Sequence, residues 1–382
     1  MGIDLILVGL SLMIWGFGES MFFFFQPIYL EQLGANPLLI GTIFSAFGLV
    51  MMVAHVPAGY LSDRIGRRPL IVIAWFTGLV AAIIMACARS LPAFVAGMLF
   101  YGLTAFVSSP LFSYVTTARG KLTTGRAMTL TSAMYNVGAV FGPLTGGLIG
   151  DRHGLQSLYW VAVGCFMVSC IIMLLIHSQP RDHHDPDSPP TRLLSNTRFL
   201  AFVFVSFIAM FSMFLPQTLT PNFLQNEHGV SLIWLGRLGS IGSLGNAVFN
   251  LVIGQMNIGL GFILSQISVC LFAGMLWQGN HLFWYGLGFF LLGGYRSARM
   301  LAFAHVRSLI HQSQMGLAYG VAETFNSLAI LLAPSLAGFL YEGAPASIYP
   351  ISLGLMAFSI LVSLIFMTRQ EGLRRMFSSH NP

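Results

Sequence analysis

The sequence predicts an all-α membrane protein, with twelve transmembrane helices in two six-helix bundles related by a pseudo-twofold axis along the membrane normal. Three observations lead to this fold class: the composition, the length of the apolar runs and an internal repeat. Of the 382 residues, 56% are hydrophobic and 8% are charged, whereas soluble domains carry about 25% charged residues. This composition excludes a soluble enzyme, a disordered chain and a nucleic-acid-binding protein.

The apolar runs are long and continuous, which favours helices over the alternating pattern of a β-barrel. A membrane-spanning helix needs about 20 apolar residues, and short connections marked by Gly, Pro, Asn or charge separate the runs. The four cysteines lie inside apolar runs without metal-ligand spacing. We therefore expect no disulfide, no metal site and no cofactor. The predicted spans are 4–31, 37–60, 69–88, 92–116, 126–149, 157–177, 199–222, 231–256, 259–277, 282–307, 316–340 and 347–367.

One connection divides the chain into two halves. Residues 178–197 are polar and proline-rich and lie near the middle of the sequence, which is typical of a solvated linker. We therefore predict an N-terminal six-helix bundle over 1–177, a cytoplasmic linker over 178–197, and a C-terminal six-helix bundle with a short cytoplasmic tail over 198–382.

The two halves repeat each other weakly. A shift of 191 positions aligns helix 5 with helix 11, and a shift of 195 positions aligns helix 2 with helix 8. Parallel repeats related by an axis along the membrane normal are a transporter architecture. The aligned pairs include Pro143 with Pro334, Gly147 with Gly338, and Gly41 with Gly236.

The distribution of basic residues predicts the orientation. If both termini are cytoplasmic, 13 of the 18 Lys and Arg residues fall on the inner side and three on the outer side, as the positive-inside rule requires. We therefore expect a multi-pass protein of the plasma membrane, or of the inner membrane of a bacterium, with both termini in the cytoplasm.

The segment after helix 2 carries a specific motif. Residues 59–68 read G-Y-L-S-D-R-I-G-R-R, which resembles the signature G-x-L-x-D-R-x-G-R-R/K between helices 2 and 3 of the major facilitator superfamily. Every element of that pattern is present. The matching residues are Gly59, Asp63, Arg64, Gly66, Arg67 and Arg68.

The resemblance implies a secondary transporter that works by alternating access between its two bundles. In the family, the aspartate of the motif contacts the cytoplasmic end of helix 11 and latches the inner gate, so Asp63 would meet the segment 313–316. The two glycines would allow a tight turn and a close helix approach, and the arginines would supply ion pairs. The second copy of the motif, at 254–259, has no charges, so a latch there would differ.

Helix 5 contains a stripe of small residues around a proline, G-x-x-x-G-P-x-x-G-G. It resembles a family signature of antiporters, chiefly drug–proton exporters. Glycines four residues apart form a smooth helix face for close packing, and a proline allows a bend. The alternative is that the stripe serves packing alone. The residues are Gly138, Gly142, Pro143, Gly146 and Gly147.

Four ionisable residues lie at membrane depth, where such groups are energetically unfavourable and usually functional. They are Glu19 in helix 1, Arg296 and Arg299 on one face of helix 10, and Glu323 in helix 11. Burial favours a neutral carboxyl group, whereas a nearby arginine favours a charged one. We hypothesise that Glu19 or Glu323 carries a coupled proton, with Arg296 controlling the charge of Glu323. The alternative is a structural Arg–Glu pair between helices 10 and 11.

These observations favour proton-coupled export of amphipathic small molecules, with the proton gradient as energy source. The alternative is proton-coupled or facilitated uptake of a polar or anionic solute, such as a sugar or organic acid, held by Arg296 and Arg299. An enzyme is disfavoured because no hydrolase, metalloprotease or phosphate-binding motif occurs. The expected partners are a small-molecule substrate and the lipid bilayer, without nucleic acid, and the expected state is a monomer.

Overall fold

The computed structural model describes residues 2–122, 124–179, 195–253, 255–310 and 315–378, with side chains described except at 55–65, 109, 124–125, 307–308, 315–317, 319 and 368–378. This part of the chain is helical, without strands. Twelve spans, α1–α12, follow the predicted order, and most of the predicted linker lies outside the described residues. The spans are α1a (Ile3–Phe23) and α1b (Gln26–Gln32), α2 (Pro37–Ile65), α3 (Arg67–Cys87), α4a (Leu91–Gly102) and α4b (Ser108–Ala118), α5 (Thr124–His153), α6 (Gln156–Leu174), α7a (Thr197–Phe214) and α7b (Thr220–Asn226), α8 (Leu232–Ile253), α9 (Ile258–Gln278), α10a (Leu282–Leu291) and α10b (Gly294–Leu309), α11 (Met315–Gly343), and α12 (Ile348–Ser378).

Four spans are interrupted, namely α1, α4, α7 and α10, and their prediction as continuous helices is wrong. Pro27 and Pro221 stand in the first turns of α1b and α7b, where proline is tolerated because the first amide groups of a helix need no partner within it. A 3₁₀ turn, Leu103–Val107, joins the halves of α4. The four interrupted spans are the first and fourth of each bundle, so the interruptions follow the repeat. Discontinuous helices at the interface between repeats are typical of transport sites.

Eight helices in the described part of the chain are long and apolar enough to cross a membrane. They do not include the continuous spans α5 and α8, in which glycine and small polar residues replace large apolar side chains. These two helices contact each other, so part of their surface faces protein and not lipid.

The two bundles contact each other through α5 with α8 and through α2 with α11. A Cβ atom built on Gly236 of α8 would lie 3.1 Å from Cα of Gly147, and one built on Gly41 of α2 would lie 3.1 Å from Cα of Gly338. The internal repeat aligns Gly147 with Gly338 and Gly41 with Gly236, so it relates one of these contacts to the other. The contact between bundles is therefore itself twofold, as expected for two related bundles.

The contacts named above lie in the distal halves of the helices, where the distal end is the end at which α1b finishes and α2 begins. Hydrogen bonds also cross between the bundles there. The amide of Asn36 donates to Glu342 over 3.1 Å, and that of Asn226 donates to Glu31 over 2.8 Å. The bundles are thus closed against each other at the distal end.

Candidate functional site

Glu19 lies half-buried on α1a and accepts hydrogen bonds from two tyrosines. The hydroxyl of Tyr101 donates to Oε1 over 2.8 Å, and the hydroxyl of Tyr135 donates to Oε2 over 2.7 Å. No partner of Glu19 was evident in the sequence, and neither tyrosine was predicted as a site residue. Both carboxylate oxygens are therefore satisfied by neutral donors.

The two tyrosines occupy different surroundings. Tyr101 lies in the last turn of α4a next to the interruption, is buried, and stacks with Trp15 and Phe166 inside the first bundle. Tyr135 of α5 is half-buried, and its hydroxyl lies close enough to Arg296 of α10b for an electrostatic interaction. Glu19 is thus connected through Tyr135 to the opposite bundle.

Arg296 is exposed and stands in the first turn of α10b. Since it approaches Tyr135 of the other bundle, its side chain faces the space between the bundles. Among the described acidic residues, none forms an ion pair with Arg296. It is therefore a cation without a carboxylate counterion in that part of the chain.

Glu323 of α11 forms its ion pair with Arg299 and not with Arg296, the partner that the sequence analysis expected. Control of the charge of Glu323 by Arg296 stays a prediction. The guanidinium of Arg299 donates to Glu323 Oε1, and the two side chains are 33% and 22% exposed. Residues three apart on a helix point about 60° apart, so Arg299 reaches α11 whereas Arg296 reaches α5.

The stripe of helix 5 packs against α1a. A Cβ atom on Gly142 would lie 2.6 Å from the carbonyl oxygen of Phe17, and one on Gly146 would lie 2.6 Å from that of Met21. A Cβ atom on Gly138 would clash with the carbonyl oxygen of Met13. These glycines let α5 approach α1a closely, which brings Tyr135, three residues before Gly138, within reach of Glu19.

Pro143 and Gly147 lie on another face of α5 and contact α8 of the second bundle. The carbonyl of Pro143 meets Gly236, and Gly147 meets Leu232 and Gly236. The motif therefore serves two contacts, one within a bundle and one between bundles. The association of the motif with antiport stays a prediction.

In the motif after α2, the described residues tie the first bundle together. Gly66 has a φ of 94° and joins α2 to α3, as the tight turn requires, whereas Gly59 lies within α2. Arg67 donates to Thr117 over 2.6 Å, and Arg68 donates to the carbonyl oxygen of Leu174 over 2.9 Å. The side chains of Asp63, of Arg64 and of the segment 313–316 lie outside the described residues, so the latch stays a prediction.

Comparison with known proteins identifies the family. The Major Facilitator Superfamily model matches residues 8–257. The chain belongs to the Major Facilitator Superfamily. A 136-residue segment is 31% identical to an MFS-type transporter of Methanocaldococcus jannaschii, covering 35% of each chain. A 177-residue segment is 27% identical to the multidrug resistance protein MdtG of Escherichia fergusonii, covering 45% of this chain and 43% of MdtG. The matched segments thus span less than half the length of these relatives.

The fold of this superfamily member matches solved transporters over nearly its whole length. A crystal structure of the nucleoside transporter NupG superposes with a TM-score of 0.80 at 15% identity, covering 96% of this chain and 99% of that one. Membership and fold confirm a multi-pass membrane transporter with two bundles and not an enzyme.

The site of this superfamily member combines a carboxyl group, that of Glu19, with a guanidinium group, that of Arg296. Glu19 is a carboxyl group held by two neutral hydroxyl donors. Arg296 is a permanent cation on the opposite wall. The Arg299–Glu323 pair is neutral as a unit and links α10b to α11.

Proposed function

We propose that this protein is a proton-coupled exporter of amphipathic small molecules, in which Glu19 carries the proton. The hydrogen bonding of Glu19 to Tyr101 and Tyr135 is the observation that carries the proposal. A carboxyl group held by neutral donors can be protonated without breaking an ion pair. Glu323 is a weaker candidate, because protonation would leave Arg299 beside it unpaired.

Export is supported by the relative that is named a multidrug resistance protein and by the helix 5 motif. In an exporter driven by the proton gradient, proton and substrate must compete for the transporter. A cationic or neutral amphipathic molecule that binds beside ionised Glu19 would meet this condition, because protonation removes the charge or the acceptor that holds it.

A second candidate function is uptake of an anionic solute, and the exposed Arg296 favours it. With Glu19 ionised, the charges of Glu19 and Arg296 cancel. With Glu19 protonated, the site is positive and attracts an anion, so proton and anion would bind cooperatively and travel together. The fold of NupG, a nucleoside transporter, is compatible with this alternative.

The sign of proton movement on binding distinguishes the two functions. Purified protein in weak buffer is mixed with a lipophilic cation, tetraphenylphosphonium, or with an aromatic anion, benzoate. Proton release on cation binding supports export, whereas proton uptake on anion binding supports cotransport. Glu19→Gln should abolish either signal, and Glu323→Gln should leave it. A full signal in Glu19→Gln would refute Glu19 as the proton carrier.

We also propose that both termini and the 178–197 linker face the cytoplasm, and that the protein resides in the plasma or inner membrane as a monomer. The distribution of basic residues supports the orientation.

A further inference from the structure

Tyr135 connects the proton site to the opposite bundle. It belongs to the first bundle, donates to Glu19 over 2.7 Å, and lies close to Arg296 of the second bundle. We propose that Tyr135 is a positioning residue that transmits the protonation state of Glu19 to Arg296, and thereby to the contact between the bundles. This inference rests on the proposed role of Glu19 as the proton carrier.

The chemistry of a tyrosine hydroxyl suits this role. It has one hydrogen to donate and lone pairs with which to accept. When Glu19 is ionised, Tyr135 donates to the carboxylate while its oxygen faces the guanidinium of Arg296. The three groups then form a chain from positive to negative charge, in which each polar group strengthens the next. In this state the chain holds Arg296 of α10b beside Tyr135 of α5.

Protonation of Glu19 removes the negative end of the chain. The exposed side chain of Arg296 then loses the electrostatic attraction that holds it beside Tyr135. Its guanidinium is free to turn to water or to an anionic group, and the contact with Tyr135 is weakened. Since the present arrangement is closed at the distal end, loss of this contact favours separation of the bundles there.

Other titratable and charged groups lie near Glu19, Tyr135 and Arg296 and could contribute to a response to pH. Cys165 of α6 packs against Gly18, next to Glu19, and Tyr295 faces Arg296, Arg299 and Glu323. Arg299 and Glu323 already form an ion pair with each other, in which Arg299 Nε and Glu323 Oε2 are buried without a hydrogen-bond partner. The titratable and charged groups facing the chain are Tyr101, Cys165, Tyr295, Arg299 and Glu323.

The test uses a reporter of distal opening. Ser45 of α2 is buried and hydrogen-bonded over 2.7 Å to Ser335 of α11, across the bundle contact. A Ser45→Cys variant, in a background without the four native cysteines, reports opening through its rate of maleimide labelling in purified, reconstituted protein. We expect labelling to be about tenfold faster when Glu19 is protonated than when it is ionised, which corresponds to about 1.4 kcal/mol. Each rate is normalised to that of an unfolded sample at the same pH, because thiol reactivity itself depends on pH.

Tyr135→Phe removes only the hydroxyl and should give fast labelling at every pH. Tyr101→Phe is the matched control, since it removes the other hydroxyl on Glu19 but makes no contact between bundles; it should keep the amplitude of the pH response and change only its midpoint. Arg296→Gln, at an exposed side chain, should flatten the response as Tyr135→Phe does. This variant keeps the test decisive if Tyr135→Phe folds poorly.

The outcomes separate this inference from the proposed function. If Glu19→Gln flattens the response but Tyr135→Phe and Arg296→Gln retain it in full, the transmission through Tyr135 is refuted while Glu19 remains the proton site. If Glu19→Gln also retains the full response, the proposed proton site itself is wrong.

Discussion

Replacement of Gly147 by alanine should open the distal contact between the bundles. A Cβ atom at this position would lie 2.5 Å from the carbonyl oxygen of Leu232 and 3.2 Å from Cα of Gly236. Both are backbone atoms of α8, so no flexible side chain can give way. Because heavy atoms prefer a separation of about 3.5 Å, α5 and α8 must move apart by about 1 Å.

The magnitude follows from the strain of overpacking, which is typically about 1–3 kcal/mol. The strain exists only while α5 and α8 are in contact, so it disfavours the distal-closed state relative to a state in which the bundles separate. At tenfold per 1.4 kcal/mol, the closed-to-open equilibrium should shift roughly 5- to 140-fold toward the open state. The global stability of each bundle should change little.

The assay is maleimide labelling of Ser45→Cys in purified protein, because Ser45 reports the α2–α11 contact and does not touch the mutated site. Gly142→Ala is one control, since its Cβ atom would clash with α1a inside the first bundle; it should lower thermal stability without faster labelling. Gly164→Ala is the other control, because no atom lies within 4 Å of its added Cβ. It should change neither the thermal stability nor the labelling rate. Equal labelling of the Gly147→Ala and Gly164→Ala proteins would refute the reasoning.

Three further predictions concern orientation, the gate and the ion pair. Ser188→Cys in the linker should resist an impermeant thiol reagent in intact cells, and ready labelling would reverse the predicted orientation. Asp63→Asn should keep near-normal expression but lose most transport in vesicles, because the latch needs its charge; transport at the unmodified rate would show that the motif has no gating role here. Arg299→Met should lower the free energy of unfolding by about 2 kcal/mol, less than the 3–5 of a fully buried pair because both side chains are partly exposed. Adding Glu323→Gln to Arg299→Met should restore part of this stability, as measured by thermal unfolding. If Arg296→Met lowered the free energy of unfolding as much as Arg299→Met does, the pairing of Glu323 with Arg299 would be contradicted.

Much of the contact between the bundles could be predicted from the sequence. The repeat aligned Gly147 with Gly338 and Gly41 with Gly236, and these residues meet in two equivalent contacts. Small residues at fixed spacing are a local signal of close packing, so they can be read without the fold. The interruptions of α1 and α7 also had a local signal in Pro27 and Pro221, although the predicted spans ran through it.

The environment of the ionisable groups could not be predicted in the same way. Glu19 was recognised as a polar residue at membrane depth, but its donors are 82 and 116 positions away along the chain. Nothing in the local sequence marks Tyr101 or Tyr135 among the 11 tyrosines. The one available hint was that Tyr135 precedes Gly138 by almost one helical turn and so lies near the face that packs closely.

The sequence by itself thus determined the number of spans, their division into two related halves and the family, because composition, periodicity and a contiguous motif are properties of the chain alone. The tertiary structure decided which charges meet. Spacing put Arg296 and Arg299 on one face of a helix, but it did not determine how that helix is rotated against its neighbours. Packing of α10b fixes this rotation, and it directs Arg299 to Glu323 in α11 and Arg296 to Tyr135 in the opposite bundle.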